Sequence, residues 1–207
     1  MNKLTQDCIN WVRDYFKDHN QTKAIVGISG GKDSSVVAAV CVAALGKENV
    51  FGLLMPNGIQ ADIADSYRVV DHLGIQHDLV DIEVPFKEIG AAIPGFFDSD
   101  AARTNLPARL RMCCLYAYGQ AHGMMVANTC NASEDAVGYA TLYGDSAGSF
   151  APVSKLTTEE IIEIEKDFDD DLGIVFTSAV FDKVRPCMNK CIFCFVDQQP
   201  KGLRKTL

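Results

Sequence analysis

The run Ala24-Ile25-Val26-Gly27-Ile28 leads directly into Ser29-Gly30-Gly31-Lys32-Asp33-Ser34-Ser35, and an alanine- and valine-rich segment follows as far as Leu45. A short continuous apolar run bounded by glycine predicts a strand buried on both faces, of the kind found in parallel sheets. The two glycines let backbone N–H groups converge on an anion, and the helix that follows adds its positive end, with Asp33, Ser34 or Ser35 suited to cap it. A phosphate cradle built from Ser29, Gly30, Gly31, Ser34 and Ser35 is therefore expected. It is not the longer loop that ends in Lys-Ser or Lys-Thr, because Lys32 is followed by Asp33. A carboxylate set among phosphates repels them unless a divalent cation lies between, so Asp33 points to magnesium. The competing reading is a glycine turn with no chemical role, and the complete strand, turn and helix sequence disfavours it.

The same alternation continues on either side. Residues 4–18 read as an amphipathic helix with Leu4, Cys8, Trp11, Val12, Tyr15 and Phe16 on one side. Val50-Phe51-Gly52-Leu53-Leu54-Met55 predicts a second strand, residues 61–73 a helix, and residues 76–80 a third strand. Residues 106–122 predict a long helix with Pro107 in its first turn and Gly123 beyond its end. Met124-Met125-Val126-Ala127 predicts a further strand, which delivers Thr129 and Glu134 to the side of the sheet that carries the Ser29 loop. The fold class is α/β, a doubly wound parallel sheet of Rossmann-like type, with its ligand beyond the carboxyl ends of the strands. The acidic run over residues 163–171 marks a composition shift, and the chain is divided there into residues 1–163 and 164–207.

The 207 residues are 48% apolar and 22% charged, enough to bury one substantial core. A net charge of −8 and a pI near 4.9 argue against a broad nucleic-acid footprint. Local cations that could meet an anionic substrate are Lys32, Arg103, Arg109 and Arg111. No signal-peptide core opens the chain, and no apolar stretch approaches the roughly 18 residues a membrane span needs. A cytoplasmic protein is expected, with Cys8, Cys41, Cys113, Cys114 and Cys130 as reduced core thiols. His19, His72, His77 and His122 lack a partner pattern and read as structural.

Four further motifs follow the loop in order: Met55-Pro56-Asn57-Gly58-Ile59-Gln60, then Thr104-Asn105-x-x-Ala108-Arg109-x-Arg111-Met112, then Asn128-Thr129-x-Asn131-x-Ser133-Glu134, then Tyr143-Gly144-Asp145. With them, residues 1–160 resemble the ammonia-dependent NAD synthetases, members of the adenine-nucleotide α-hydrolase-like ATP pyrophosphatases. The resemblance implies a ligase that converts deamido-NAD to NAD. The nicotinate carboxylate attacks the α-phosphate of ATP, pyrophosphate leaves, and ammonia displaces AMP from the acyl-adenylate. It implies Asp33, Ser34 and Lys32 as catalytic residues. Ser29, Gly30, Gly31, Ser34, Ser35, Met55, Arg109, Thr129 and Asp145 would bind nucleotide or dinucleotide, and Asp33 and Glu134 would ligate magnesium. A homodimer is implied, without nucleic-acid or membrane partners.

Each assignment has a simpler competitor: Glu134 as a helix cap, Asp145 as a turn residue, Arg109 as a surface cation. The other enzyme class is an ATP pyrophosphatase acting on tRNA, which calls for a basic extension. The chain also departs from the family. It reads Ser146-Ala147-Gly148-Ser149 where a glycine and a second acid are usual, and the family's Pro-x-Ala-Asp-Leu cover segment does not follow Thr157.

From about residue 164 the chain resembles the entry segment of a radical-SAM-like family. Cys187, Cys191 and Cys194 have the Cys-x3-Cys-x2-Cys spacing that holds a four-iron, four-sulfur cluster in such proteins. Zinc is the alternative for this triplet. An inactive fusion carrying an iron-sulfur tail is the corresponding alternative for the whole chain.

Overall fold

The computed structural model describes residues 1–172. Four parallel strands form one sheet: β1 (Ala24–Gly27), β2 (Val50–Leu54), β3 (Gln76–Leu79) and β4 (Met125–Val126), in the order β3-β2-β1-β4. Register pairs Ala24 with both Val50 and Met125, so the parallel strands β1, β2 and β4 start level and point their carboxyl ends to the same side. The order reverses between β1 and β4, and such a switch point opens a crevice above the strand ends. Phe150 extends this edge by a parallel bridge to Ala127.

Alternation along the strands divides the core between the two faces. Ala24, Val26, Val50 and Leu54 pack with helices α1 (Lys3–Asp18), α2 (Lys32–Leu45), α3 (Ile63–Leu73) and α7 (Thr158–Leu172). Ile25, Leu53, Met55 and Val126 face the opposite way, toward Ile82, at the start of α4 (Glu83–Ala92), and Leu110, on α5 (Asp100–His122). The doubly wound parallel α/β fold is thus present.

Several local expectations are corrected. In α1 the buried face is Thr5, Cys8, Ile9, Val12 and Phe16, whereas Trp11 is 42% exposed. Cys113 is exposed on α5, and Cys114 is half-buried rather than a core thiol. Helix α5 starts at Asp100, capped by the Ser99 hydroxyl, which accepts from the Ala102 N–H. Pro107 therefore lies inside the helix, where it leaves the Arg103 carbonyl without its usual partner. Helix α4 has no clear sequence signal because Pro85 interrupts it. Pro85 falls in the first turn, where a missing N–H has no intrahelical acceptor to lose.

The acidic run at 163–171 is helical and does not interrupt the fold. Ile161 and Ile164 of α7 are fully buried, and Phe168 packs against the same cluster. Asp167 of α7 accepts the Asn2 N–H at 2.6 Å and the Thr5 hydroxyl, fastening α7 to the start of α1. Among the described residues, no helix is long and apolar enough to cross a membrane.

Candidate active site

A cavity of about 610 Å3 opens above the carboxyl ends of β1 and β4. That volume lies within the range of small-ligand sites. Its walls come from the turn after β1, the end of β2, the start of α3, one side of α5 and the segments after β4. Of the residues singled out from sequence, Ser29, Gly30, Gly31, Asp33, Ser34, Met55, Thr129, Glu134 and Asp145 line it.

The turn closes on itself through short bonds. Gly31, not Asp33, Ser34 or Ser35, is the N-cap of α2, so these three residues occupy the first turn. The Ser34 hydroxyl donates to the Gly31 carbonyl at 3.0 Å and lies 3.0 Å from the Ser29 hydroxyl, which accepts the Gly31 N–H at 3.2 Å. No side chain caps α2. Its first N–H groups, which lack intrahelical acceptors, remain available to an anion. Gly30 has φ +80°, and a Cβ there would lie 2.9 Å from the Asp65 Cβ and the Ser66 nitrogen. Only glycine fits this approach of the turn to α3. Ser35 does not reach the cavity: it is buried, and its hydroxyl donates to the Gly31 carbonyl at 2.9 Å.

Two carboxylates meet across the switch point. The Lys32 ammonium donates to Asp33 Oδ2 at 2.7 Å, so Lys32 is turned onto its neighbour and does not line the cavity. Asp33 Oδ1 accepts the Asn131 side-chain amide at 3.1 Å. Asn131 is the N-cap of α6 (Ala132–Val137): its Oδ1 accepts the Glu134 N–H, and Glu134 Oε2 accepts the Asn131 N–H, both at 3.1 Å. Glu134 is thus a capping residue and a cavity residue at once. Burial pushes its carboxyl above the ordinary range, and the charges of Asp33 and Asp145 add to this, opposed by the Asn131 N–H and Lys32.

The acid balance fits a divalent cation. Asp33, Asp62, Asp65, Glu134 and Asp145 line the cavity against one guanidinium, that of Arg111. Among the described residues no group of three or more His, Cys, Asp or Glu could hold a metal ion. A cation at Asp33 and Glu134 would take its remaining oxygens from substrate and water, as magnesium commonly does.

Arg109 is not in the cavity. It is exposed, and its Nε donates to the Leu142 carbonyl at 3.2 Å. Arg111 holds the inward position, with Nε donating to the Met55 carbonyl at 3.0 Å. Burial lowers its pKa, an effect that nearby Asp145 opposes. The signal lay in the helical spacing: Ala108, Arg111, Met112 and Leu115 all line the cavity and fall on one side of α5, which excludes position 109. Gln60, quoted only as the end of a motif, also lines the cavity, as do Asp62 and Asp65, which nothing in their local sequence distinguishes from surface polar residues. Asp145 Oδ1 accepts the Thr141 N–H at 2.6 Å, and its carbonyl accepts the Asn128 amide and the Cys130 thiol, each at 3.2 Å. Burial, reinforced by the surrounding carboxylates, pushes the Cys130 thiol up to about 12, which leaves it protonated and unreactive. Cys187, Cys191 and Cys194 lie outside the described residues.

The chain is similar to several known proteins in sequence and fold. The chain is 38% identical over 170 residues to the NH(3)-dependent NAD(+) synthetase of Methanocaldococcus jannaschii, covering 80% of this chain and 64% of that protein. The chain thus spans just under two thirds of that relative's length. The NH3-dependent NAD synthetase of Campylobacter jejuni superposes with a TM-score of 0.76 at 32% identity, over 82% of this chain and 74% of the other. The NMN synthetase of Francisella tularensis superposes with a TM-score of 0.75 at 30% identity, over 82% and 72%. Residues 166–207 match a Radical SAM-like domain, overlapping the end of the first match. The model of the NAD synthase family spans residues 4–175, past the limit expected near residue 160, and the chain belongs to that family.

Proposed function

We propose that this chain carries the ATP- and magnesium-dependent amidation of deamido-NAD to NAD, with ammonia as nitrogen donor and AMP and pyrophosphate as products. The observation that carries the reading is the uncapped N-terminus of α2 beside Asp33 and Glu134 in one cavity. A carboxylate is a poor acyl donor, so catalysis rests on holding it in line with the α-phosphate and stabilising charge on the leaving pyrophosphate. In this reading the first-turn N–H groups of α2 and the Ser29 and Ser34 hydroxyls bind the phosphates. Asp33 and Glu134 hold magnesium, which supplies positive charge against the pyrophosphate. Arg111, rather than Arg109, meets anionic substrate, while Thr129 borders the nucleotide and Asp145 the acceptor.

The likeness to the Francisella protein favours a second reading, in which the acceptor is the corresponding mononucleotide. One assay separates them. The purified chain is given ATP, magnesium and ammonium with deamido-NAD or with nicotinate mononucleotide, and amide product and pyrophosphate are measured. Turnover of deamido-NAD, reduced at least about a hundredfold in Asp33→Asn, is the expected result. Turnover of the mononucleotide alone transfers the assignment to the second reading, and absence of pyrophosphate release with either acceptor rejects both.

A further inference from the structure

We propose that Asn131 is the positioning residue that sets the two carboxylates of the site against each other. The inference rests on the proposed role of Asp33 and Glu134 as holders of a divalent cation. Asp33 stands after β1 and Glu134 after β4, on adjacent strands of the sheet. No bond joins the two acids directly, and the charge of Asp33 disfavours the ionised form of Glu134. Asn131 lies between them, 1% exposed, and its polar groups are divided between the two sides. Its amide nitrogen donates to Asp33 Oδ1 at 3.1 Å, while its amide oxygen and backbone N–H bind the Glu134 backbone and carboxylate.

Asparagine does both with separate atoms, its amide oxygen capping α6 and its amide nitrogen reaching Asp33. Serine and threonine must make both contacts through one hydroxyl on a shorter side chain, and ionised aspartate has no donor for a second carboxylate. A bond to Asp33 across 98 residues adds nothing to the capping of α6, so helix formation alone does not require it. The bond restrains the Asp33 side chain on the Glu134 side, while the Lys32 ammonium takes Oδ2. Outer partners of this kind typically alter metal affinity by 10- to 100-fold.

Asn131→Ser tests this because it keeps a capping acceptor and removes the amide nitrogen that reaches Asp33. Manganese binding is measured by electron paramagnetic resonance with a non-hydrolysable ATP analogue present, alongside the melting temperature and the magnesium dependence of turnover. The expected result is a dissociation constant for manganese raised about tenfold or more, a melting temperature close to that of the parent, and turnover recovered at high magnesium. Asn131→Gly, which also removes the amide while glycine stays tolerated at an N-cap, should weaken binding to a similar degree and serves if the serine variant does not fold. Unchanged manganese affinity in the serine variant overturns the inference while leaving the cation reading intact. A loss of affinity that only tracks a loss of melting temperature assigns Asn131 to capping alone and also overturns it. A parent chain that binds manganese no better than Asp33→Asn rejects the cation reading, and the inference falls with it.

Discussion

Arg109 and Arg111 are two residues apart on one helix, and that spacing gives them opposite surroundings. Successive helical residues are rotated by about 100°, so only one of the pair can share the side of Ala108, Met112 and Leu115 that borders the cavity. Arg111 takes that place and is held by the Met55 carbonyl, whereas Arg109 reaches the Leu142 carbonyl at the surface. If Arg111 meets anionic substrate as proposed, Arg111→Ala is expected to raise the KM for that substrate by roughly 10-fold or more, the effect of losing one charge-assisted contact. Arg109→Ala should change it less than about twofold, in line with an exposed residue. Steady-state titration of each substrate decides the matter, and the reverse ranking would return the role to Arg109. The sequence named both arginines in one motif, and distinguishing them required the orientation of α5.

At the scale of elements, the contact between α1 and α7 shows how a single carboxylate can join distant segments. Asp167 lies below the ordinary carboxylate range because it accepts first the Thr5 hydroxyl and then the Asn2 N–H. A depressed value in the folded state means that Asp167 contributes stability above its unfolded pKa of about 4. That contribution is lost as pH falls through the lower folded value. Asp167→Asn should therefore lower the urea midpoint at pH 7 and flatten its decline below about pH 4, and an unchanged pH profile would show that this contact contributes nothing. The helices α1, α2 and α3 and strands β1, β2 and β4 were legible from their apolar runs, whereas the largely exposed β3 was legible only as the next step of the strand-helix alternation. Helix α4 was not, since Pro85 carries the sequence signal of a break and only its first-turn position makes it harmless.

For the whole molecule, burial in α7 bears on where the α/β unit stops. Composition placed a division at residue 163, at the start of an acidic run. Ile161 and Ile164 nevertheless sit fully buried in the same cluster as Val12, Val37 and Val40. We propose that the division lies beyond Ile164, within or after the last turns of α7, where the two family matches overlap. Ile164→Ala should cost about 2–5 kcal/mol of unfolding free energy, as for other large-to-small changes in a packed core. A cost below about 0.5 kcal/mol would restore the boundary at 163. The amino-acid sequence by itself determined the glycine turn after β1, the parallel α/β class and the family resemblance, because glycine placement, apolar runs and ordered motifs are local properties of a chain. Only the tertiary structure decided which of two arginines enters the cavity, that Ser35 turns away from it, and that Asn131 links Asp33 to Glu134. Those facts depend on helix rotation and on the adjacency of β1 and β4, strands about a hundred residues apart in sequence, and proximity across such a distance follows from packing alone.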